Sequence, residues 1–135
     1  MTSPVDLYGL YAHYYDEDRP AEFAALFAVD ATFTSDDVER ARGRAAIEEM
    51  ARTGRAALAG VRHLISSVAV DVDGDTATGS AYVQAVQVHA DTLQLVTLGR
   101  YDDTFVREDG RWRFRVHRYT PLTSSALAGA RLASS

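Results

Sequence analysis

The sequence predicts an α+β fold in which a curved, mainly antiparallel sheet wraps around N-terminal helices to form a cone-shaped barrel with an apolar interior. Apolar residues recur at helical spacing before residue 60, and they alternate with polar residues from residue 64 to residue 120. Neither a linker nor an internal repeat interrupts the chain. We therefore expect one domain over residues 1–121, followed by a tail at 122–135 that is a frayed helix or disordered.

Three helices are predicted in the first part of the chain. Pro4 and Pro20 suit first helical positions, and Gly60 is a plausible stop for the third helix. Leu7, Leu10 and Tyr14 mark the buried stripe of the first helix. The helices are expected at residues 4–18, 20–28 and 44–58.

Strands dominate the rest. A short strand is expected at residues 30–34, and the polar run 35–43 is expected to be a loop near the mouth of the pocket. Turn signals such as Asp73-Gly74-Asp75 divide the later residues into an antiparallel meander. Its four strands are expected at residues 64–71, 76–88, 93–107 and 111–120.

The last strand has the clearest alternation. Trp112, Phe114 and Val116 mark a buried face, and His117 falls on the opposite, charged face together with three arginines. Arg118 is in register with the buried residues. Two expectations follow for its guanidinium: it pairs with Asp102 or Asp103, or it binds an anionic group at the rim of a pocket.

Composition limits the possible chemistry. The 135 residues include 47% hydrophobic and 24% charged residues, with a net charge of -5 and a pI near 5.2, which is typical of a soluble domain and argues against nucleic-acid binding. We find no apolar run of membrane-spanning length and no leader-like segment, so a cytoplasmic protein is expected. The chain has no cysteine, and all 14 basic residues are arginine. Thiol nucleophiles and Schiff-base lysines are thereby excluded.

His63 is the histidine best placed for catalysis, because it stands where a loop leads into the long strands. Its neutral imidazole could exchange a proton at ordinary pH, since the unperturbed pKa is about 6.5. We expect Tyr15 and Asp16, at the end of the first helix, to approach His63 inside an apolar pocket. Alternatively, His63 is a half-buried residue at a strand end and Asp16 is a surface acid.

The other histidines, His13, His89 and His117, are scattered. They do not have the spacing of metal ligands, and the glycines do not form a phosphate-binding loop. Neither a metal nor an organic cofactor is expected.

Several segments together resemble the SnoaL-like branch of the nuclear transport factor 2-like superfamily, which includes scytalone dehydratase and bile-acid dehydratase. These segments, in order, are Tyr11-Ala12 with Tyr15-Asp16, residues 23–31, Gly43-Arg44-Ala45-Ala46-Ile47, Arg62-His63-Leu64, residues 70–77, and residues 99–103 through 110–114. They span most of residues 8–118.

The resemblance implies roles for the candidate residues. Tyr15-Asp16 is similar to the Tyr-Asp pair of scytalone dehydratase, and His63 to the histidine that opens a strand in both dehydratases. His63 would then be the acid/base, Asp16 its partner, and Tyr15 the contact to a substrate hydroxyl or carbonyl. Ser35 and a position near Leu98 replace a second tyrosine and a second histidine of the fungal enzyme. Ketosteroid isomerases suggest Asp36 as a rival base.

The resemblance and the residues together predict a cofactor-independent dehydratase, cyclase or isomerase acting on a hydrophobic cyclic or polyketide-like substrate. The aromatic residues Tyr11, Phe33, Tyr101 and Trp112 are expected to line or back the cavity. The superfamily also implies a homodimer formed through the open sheet face. The alternative class is a binding module, or a structural subunit like the beta subunit of ring-hydroxylating dioxygenases.

Overall fold

The computed structural model describes residues 2–123 and contains three helices and six strands. The helices are α1 (Pro4–Asp16), α2 (Pro20–Ala25) and α3 (Arg44–Ala57). The strands are β1 (Phe27–Ser35), β2 (Val38–Arg42), β3 (Val61–Asp73), β4 (Thr76–His89), β5 (Thr92–Glu108) and β6 (Arg111–Pro121). The predicted tail lies almost entirely outside the described residues. Among the described helices, none has the length and apolar character that a membrane crossing requires.

The strands form one sheet in the order β2-β1-β6-β5-β4-β3. All neighbouring strands are antiparallel except β1 and β6, which are parallel. The two edge strands, β2 and β3, are therefore at opposite sides of the sheet, and the helices cover its inner face. The α+β class and the curved, mainly antiparallel sheet predicted from the sequence are confirmed.

Aromatic rings fill the interior between α1, α2 and the sheet. Phe27 packs on Phe114 with ring centroids 5.1 Å apart, and Phe105 lies 4.9 Å from the same ring. Phe23 is also fully buried, against Phe27 at 5.3 Å. These rings close one end of the cone, and the open volume lies towards the other end.

The expectation of a loop over residues 35–43 is wrong, because Val38–Arg42 form the edge strand β2. Asp36 and Asp37 make the two-residue turn to it, with φ values of 53° and 62°. This left-handed pair is the geometry of a tight hairpin turn, and aspartate tolerates it better than most residues. An edge strand that buries only Ala41 needs no apolar alternation, so its polar sequence resembles a loop.

The expected faces of the last strand are also wrong beyond residue 114. Phe105 pairs with Phe114, but Thr104 pairs with Val116, so Arg115 is an extra residue in β6. Such a β-bulge shifts the two-residue alternation by one position.

The bulge exchanges the expected environments of the His117 and Arg118 side chains. His117 is fully buried and Arg118 is exposed, the reverse of the expectation. Arg118 does not pair with either aspartate. Asp102 pairs with Arg100 at 3.1 Å, and Asp103 pairs with His117.

A chain of three buried polar side chains results. The Tyr8 hydroxyl donates to Asp103 Oδ2 at 2.5 Å, and His117 Nδ1 lies 2.5 Å from Asp103 Oδ1. His117 Nε2 has no hydrogen-bond partner among the described residues. Asp103 thus satisfies two buried donors from one position in β5.

Replacing Asp103 should therefore destabilise the fold strongly. In Asp103→Ala the Tyr8 hydroxyl and His117 Nδ1 both lose their acceptor, and each unsatisfied buried group costs about 1–3 kcal/mol. We expect the free energy of unfolding, measured with urea, to fall by roughly 2–6 kcal/mol. Asp102→Ala is the matched control, because it breaks only a half-exposed ion pair, and it should cost less than about 1 kcal/mol. Equal losses in the two variants would contradict this account.

Candidate active site

The carboxylate of Asp16 joins the end of α1 to the start of the edge strand β3. Its Oδ2 accepts a hydrogen bond from the His63 backbone N–H at 2.8 Å, and its Oδ1 lies 2.7 Å from His63 Nδ1. Both side chains are largely buried. The Arg55 guanidinium donates from α3 to the backbone carbonyl of Asp16 at 2.9 Å, which also fixes the helix end.

This contact sets the tautomer of His63. An ionised carboxylate can only accept hydrogen bonds, so Nδ1 carries the proton and Nε2 is the acceptor of the neutral ring. Nε2 makes no hydrogen bond within residues 2–123. It is therefore available to a ligand, and Asp16 would stabilise the imidazolium formed after proton uptake.

Tyr15 lies beside the imidazole, with ring centroids 4.9 Å apart and an interplanar angle of 73°. Burial raises the pKa of Tyr15 above its ordinary value, and the charge of Asp16 raises it further, while Arg55 opposes the shift. The phenol therefore stays protonated and can donate a hydrogen bond. Gly54 makes room for it, since a Cβ there would lie 2.4 Å from the Tyr15 oxygen.

A cavity of about 380 Å³ opens in front of His63 and Tyr15. Its volume is within the range of small-molecule sites, and its surface is mainly apolar. Asp16 is behind the imidazole and borders a second, outer groove between α1 and β3. Six of the thirteen residues that line the cavity carry rings, namely Tyr11, Tyr15, Phe33, His63, Tyr101 and Tyr119.

Tyr11 and Tyr101 form the floor of the cavity, with ring centroids 5.4 Å apart. Burial raises the pKa of both phenols, and the negative charge of Asp103 raises both further. His117 lies beneath them, 4.4 Å from the Tyr101 ring and 4.8 Å from the Phe33 ring. The floor is therefore aromatic, with a buried imidazole directly under it.

Two residues that the sequence suggested for the site lie outside this cavity. Trp112 does not line this cavity, because it sits at the start of β6 and packs in a separate groove with Leu10 and Tyr14 of α1. Asp36, the suggested isomerase-type base, is exposed in the β1–β2 turn and is not part of the cavity wall. The structure does bring Tyr15, Asp16 and His63 together, and Tyr11, Phe33 and Tyr101 line the cavity.

Sequence reasoning missed a polar wall of the cavity. Thr97 Oγ1 and the Tyr119 hydroxyl lie 2.5 Å apart, and Ser35 and Arg40 complete the row. Gly99 provides the space for Tyr119, because a Cβ there would lie 2.0 Å from the ring. The sequence around Gly99 does not indicate which ring this glycine accommodates, so the packing could not be predicted.

The chain belongs to the SnoaL-like domain family, whose model matches residues 5–118. No curated protein sequence matches it significantly. The family and the cone-shaped architecture agree with the resemblance recognised in the sequence.

Solved structures with the same fold are numerous. Rv3472, a protein of unknown function from Mycobacterium tuberculosis, is 26% identical with a TM-score of 0.80, over 94% of this chain and 80% of that one. ActVI-ORFA from Streptomyces coelicolor is 25% identical with a TM-score of 0.78, over 87% and 94% of the two chains. A putative scytalone dehydratase from Novosphingobium aromaticivorans is 24% identical with a TM-score of 0.75, over 88% and 81%. At that identity the last comparison shows the fold alone.

The buried phenols predict loss of stability at alkaline pH. Burial is the main cause that raises the pKa values of Tyr8, Tyr11 and Tyr101 above the ordinary value of about 10. Below that pH the unfolded chain and the folded protein both keep these protons, so stability is complete. Above it only the unfolded chain releases them, and each such tyrosine should lower the free energy of unfolding by about 1.4 kcal/mol per pH unit.

Urea unfolding between pH 9 and pH 11 and phenolate absorbance measure this effect. Tyr8→Phe should reduce the slope of stability against pH by the contribution of one tyrosine. Tyr82→Phe, at an exposed position, should keep the wild-type slope. The explanation fails if all seven tyrosines ionise near pH 10 while the protein remains folded.

Proposed function

We propose that this protein is a cofactor-independent lyase or isomerase, of the dehydratase or cyclase type, that moves protons on a hydrophobic cyclic, polyketide-like substrate. The observation that carries the proposal is the Asp16–His63 pair beside Tyr15 at the wall of an apolar, aromatic cavity. An acid/base of this kind and a phenol donor are the groups needed to remove a proton next to a carbonyl.

In a dehydration, His63 Nε2 takes the proton from the carbon next to the substrate carbonyl. The Tyr15 phenol donates a hydrogen bond to the carbonyl oxygen, where negative charge develops. Asp16 stabilises the resulting imidazolium through Nδ1. The electron pair then forms the new C=C bond as the β-carbon–oxygen bond breaks, and the imidazolium returns its proton to the leaving hydroxide to give water.

The aromatic cavity supports a ring-bearing substrate. Flat rings can pack against Tyr11, Phe33 and Tyr101, in the offset or edge-on geometries that aromatic groups prefer. The name of the putative scytalone dehydratase implies a reaction that removes water. Its similarity to this chain, at 24% identity, supports only a shared fold. The choice of reaction therefore rests on the site geometry. An isomerase based on Asp36 lacks this support, because that carboxylate is in an exposed turn.

Two probe molecules test the proposal. Exchange of the α-protons of 1-tetralone with D2O, followed by NMR, reports proton abstraction whatever the later step. Conversion of 3-hydroxy-1-tetralone to 1-naphthol, followed by fluorescence, reports dehydration. His63→Gln preserves a polar side chain of similar size but cannot carry a proton, so we expect either rate to fall about 10²–10⁴-fold.

His13→Gln is the matched control, because His13 is on the exposed side of α1 and only pairs with Glu17. It should keep the wild-type rate. Equal turnover by wild type and His63→Gln would remove His63 from the chemistry. If both probes bind in the cavity and neither reacts, the protein is a binding module.

A further inference from the structure

Arg40 reaches the cavity because of a second β-bulge. Phe33 of β1 pairs with Ala41, but Thr34 pairs with Glu39, so Arg40 is an extra residue in β2. In a bulge, two successive residues oppose one partner and a side chain is re-aimed. Arg40 thus lines the cavity, although simple alternation would place it on the outer face with Arg42.

Arg40 is exposed to solvent, and its guanidinium has no counter-charge among residues 2–123. It makes no ion pair or hydrogen bond with any of residues 2–123. The acid next to it in sequence, Glu39, is occupied by Arg42 at 2.6 Å. Other arginines near the cavity have acceptors: Arg44 binds the carbonyl of Phe27, and Arg55 binds that of Asp16. A cavity-lining cation without an internal partner is suited to an anionic group of the ligand.

Hydroxyl groups extend this positive end of the cavity across the sheet. Ser35 on β1 is opposite Tyr119 on β6 in the strand register, and Tyr119 is hydrogen-bonded to Thr97 on β5. With Arg40 on β2, these four side chains make a continuous polar wall on four different strands. They offer several hydrogen-bond donors to an oxygen-bearing group.

The polar wall begins with Arg40 at one edge of the sheet, and His63 of the acid/base pair is at the other edge. Arg40 is on the edge strand β2 and His63 is on the edge strand β3, with four strands between them. Both side chains line the same cavity. A ligand bound through one end at Arg40 would therefore extend along the aromatic wall and present its other end to His63 and Tyr15.

We propose that Arg40, with Ser35 and the Thr97–Tyr119 hydroxyl pair, is a carboxylate-binding subsite, and that the substrate is a ring-bearing carboxylic acid. The planar guanidinium matches a carboxylate with two parallel hydrogen bonds. This inference builds on the proposed function, because it assigns the far end of the molecule whose near end reacts at His63. It needs no catalysis to be tested.

Binding of 2-naphthoate and its neutral analogue 2-naphthamide, by calorimetry, tests the subsite. Wild type should bind the acid about 10- to 100-fold more tightly, as expected for a hydrogen bond to a charged group. Arg40→Met keeps the apolar stem, so it should abolish this preference by weakening binding of the acid far more than binding of the amide. Arg42→Met removes a neighbouring guanidinium that points away from the cavity, and it should keep the full preference.

The results that would contradict the carboxylate subsite differ from the result that would reject the proposed function. Equal affinity of wild type for the two probes, or loss of the preference in both arginine variants, would overturn the subsite. So would loss of the preference in His63→Gln with retention in Arg40→Met, because the anion would then be at the imidazole. An intact preference in a protein without turnover would reject the proposed function and leave the subsite standing.

Discussion

The site depends on one carboxylate that makes two hydrogen bonds. Asp16 ends α1, and its two oxygens take the backbone N–H and the ring N–H of His63. The position of the helix on the edge strand and the tautomer of the imidazole are therefore set by the same group. Tyr15 precedes Asp16 in the chain, so the same anchor also places the phenol beside the ring. Removing the carboxylate would take away both of the hydrogen bonds that hold His63 against the end of α1.

The strands of the sheet form much of the wall of the cavity that His63 borders. Rings close one end of the cone, and the chain Tyr8–Asp103–His117 satisfies most of the polar atoms buried beneath the cavity floor. Two β-bulges then change which side chains face inwards. One buries His117 under the floor, and the other directs Arg40 into the cavity wall. Polar groups at both ends and aromatic groups between them are the basis for proposing a ring-bearing carboxylic acid as the substrate.

The sequence predicted the helices and the long strands because their apolar spacing follows the period of each element. It also predicted the meeting of Tyr15, Asp16 and His63, through the family resemblance. It did not predict β2, since an edge strand with a single buried residue lacks an apolar pattern. Nor did it predict the inward position of His117 or Arg40. One extra residue in β6 and one in β2 reverse the alternation, and the residue types do not reveal where such a bulge lies. Trp112 was misplaced because alternation identifies a buried face but not which cavity that face borders.

The protonation state of His63 is the most direct test of this account. Long-range ¹H–¹⁵N NMR spectra of the folded protein near neutral pH distinguish the two neutral tautomers of an imidazole. The hydrogen bond to Asp16 predicts a ring with its proton on Nδ1 and a bare Nε2. A ring protonated on Nε2 alone would contradict the account, because the nitrogen assigned to accept the substrate proton would already carry one.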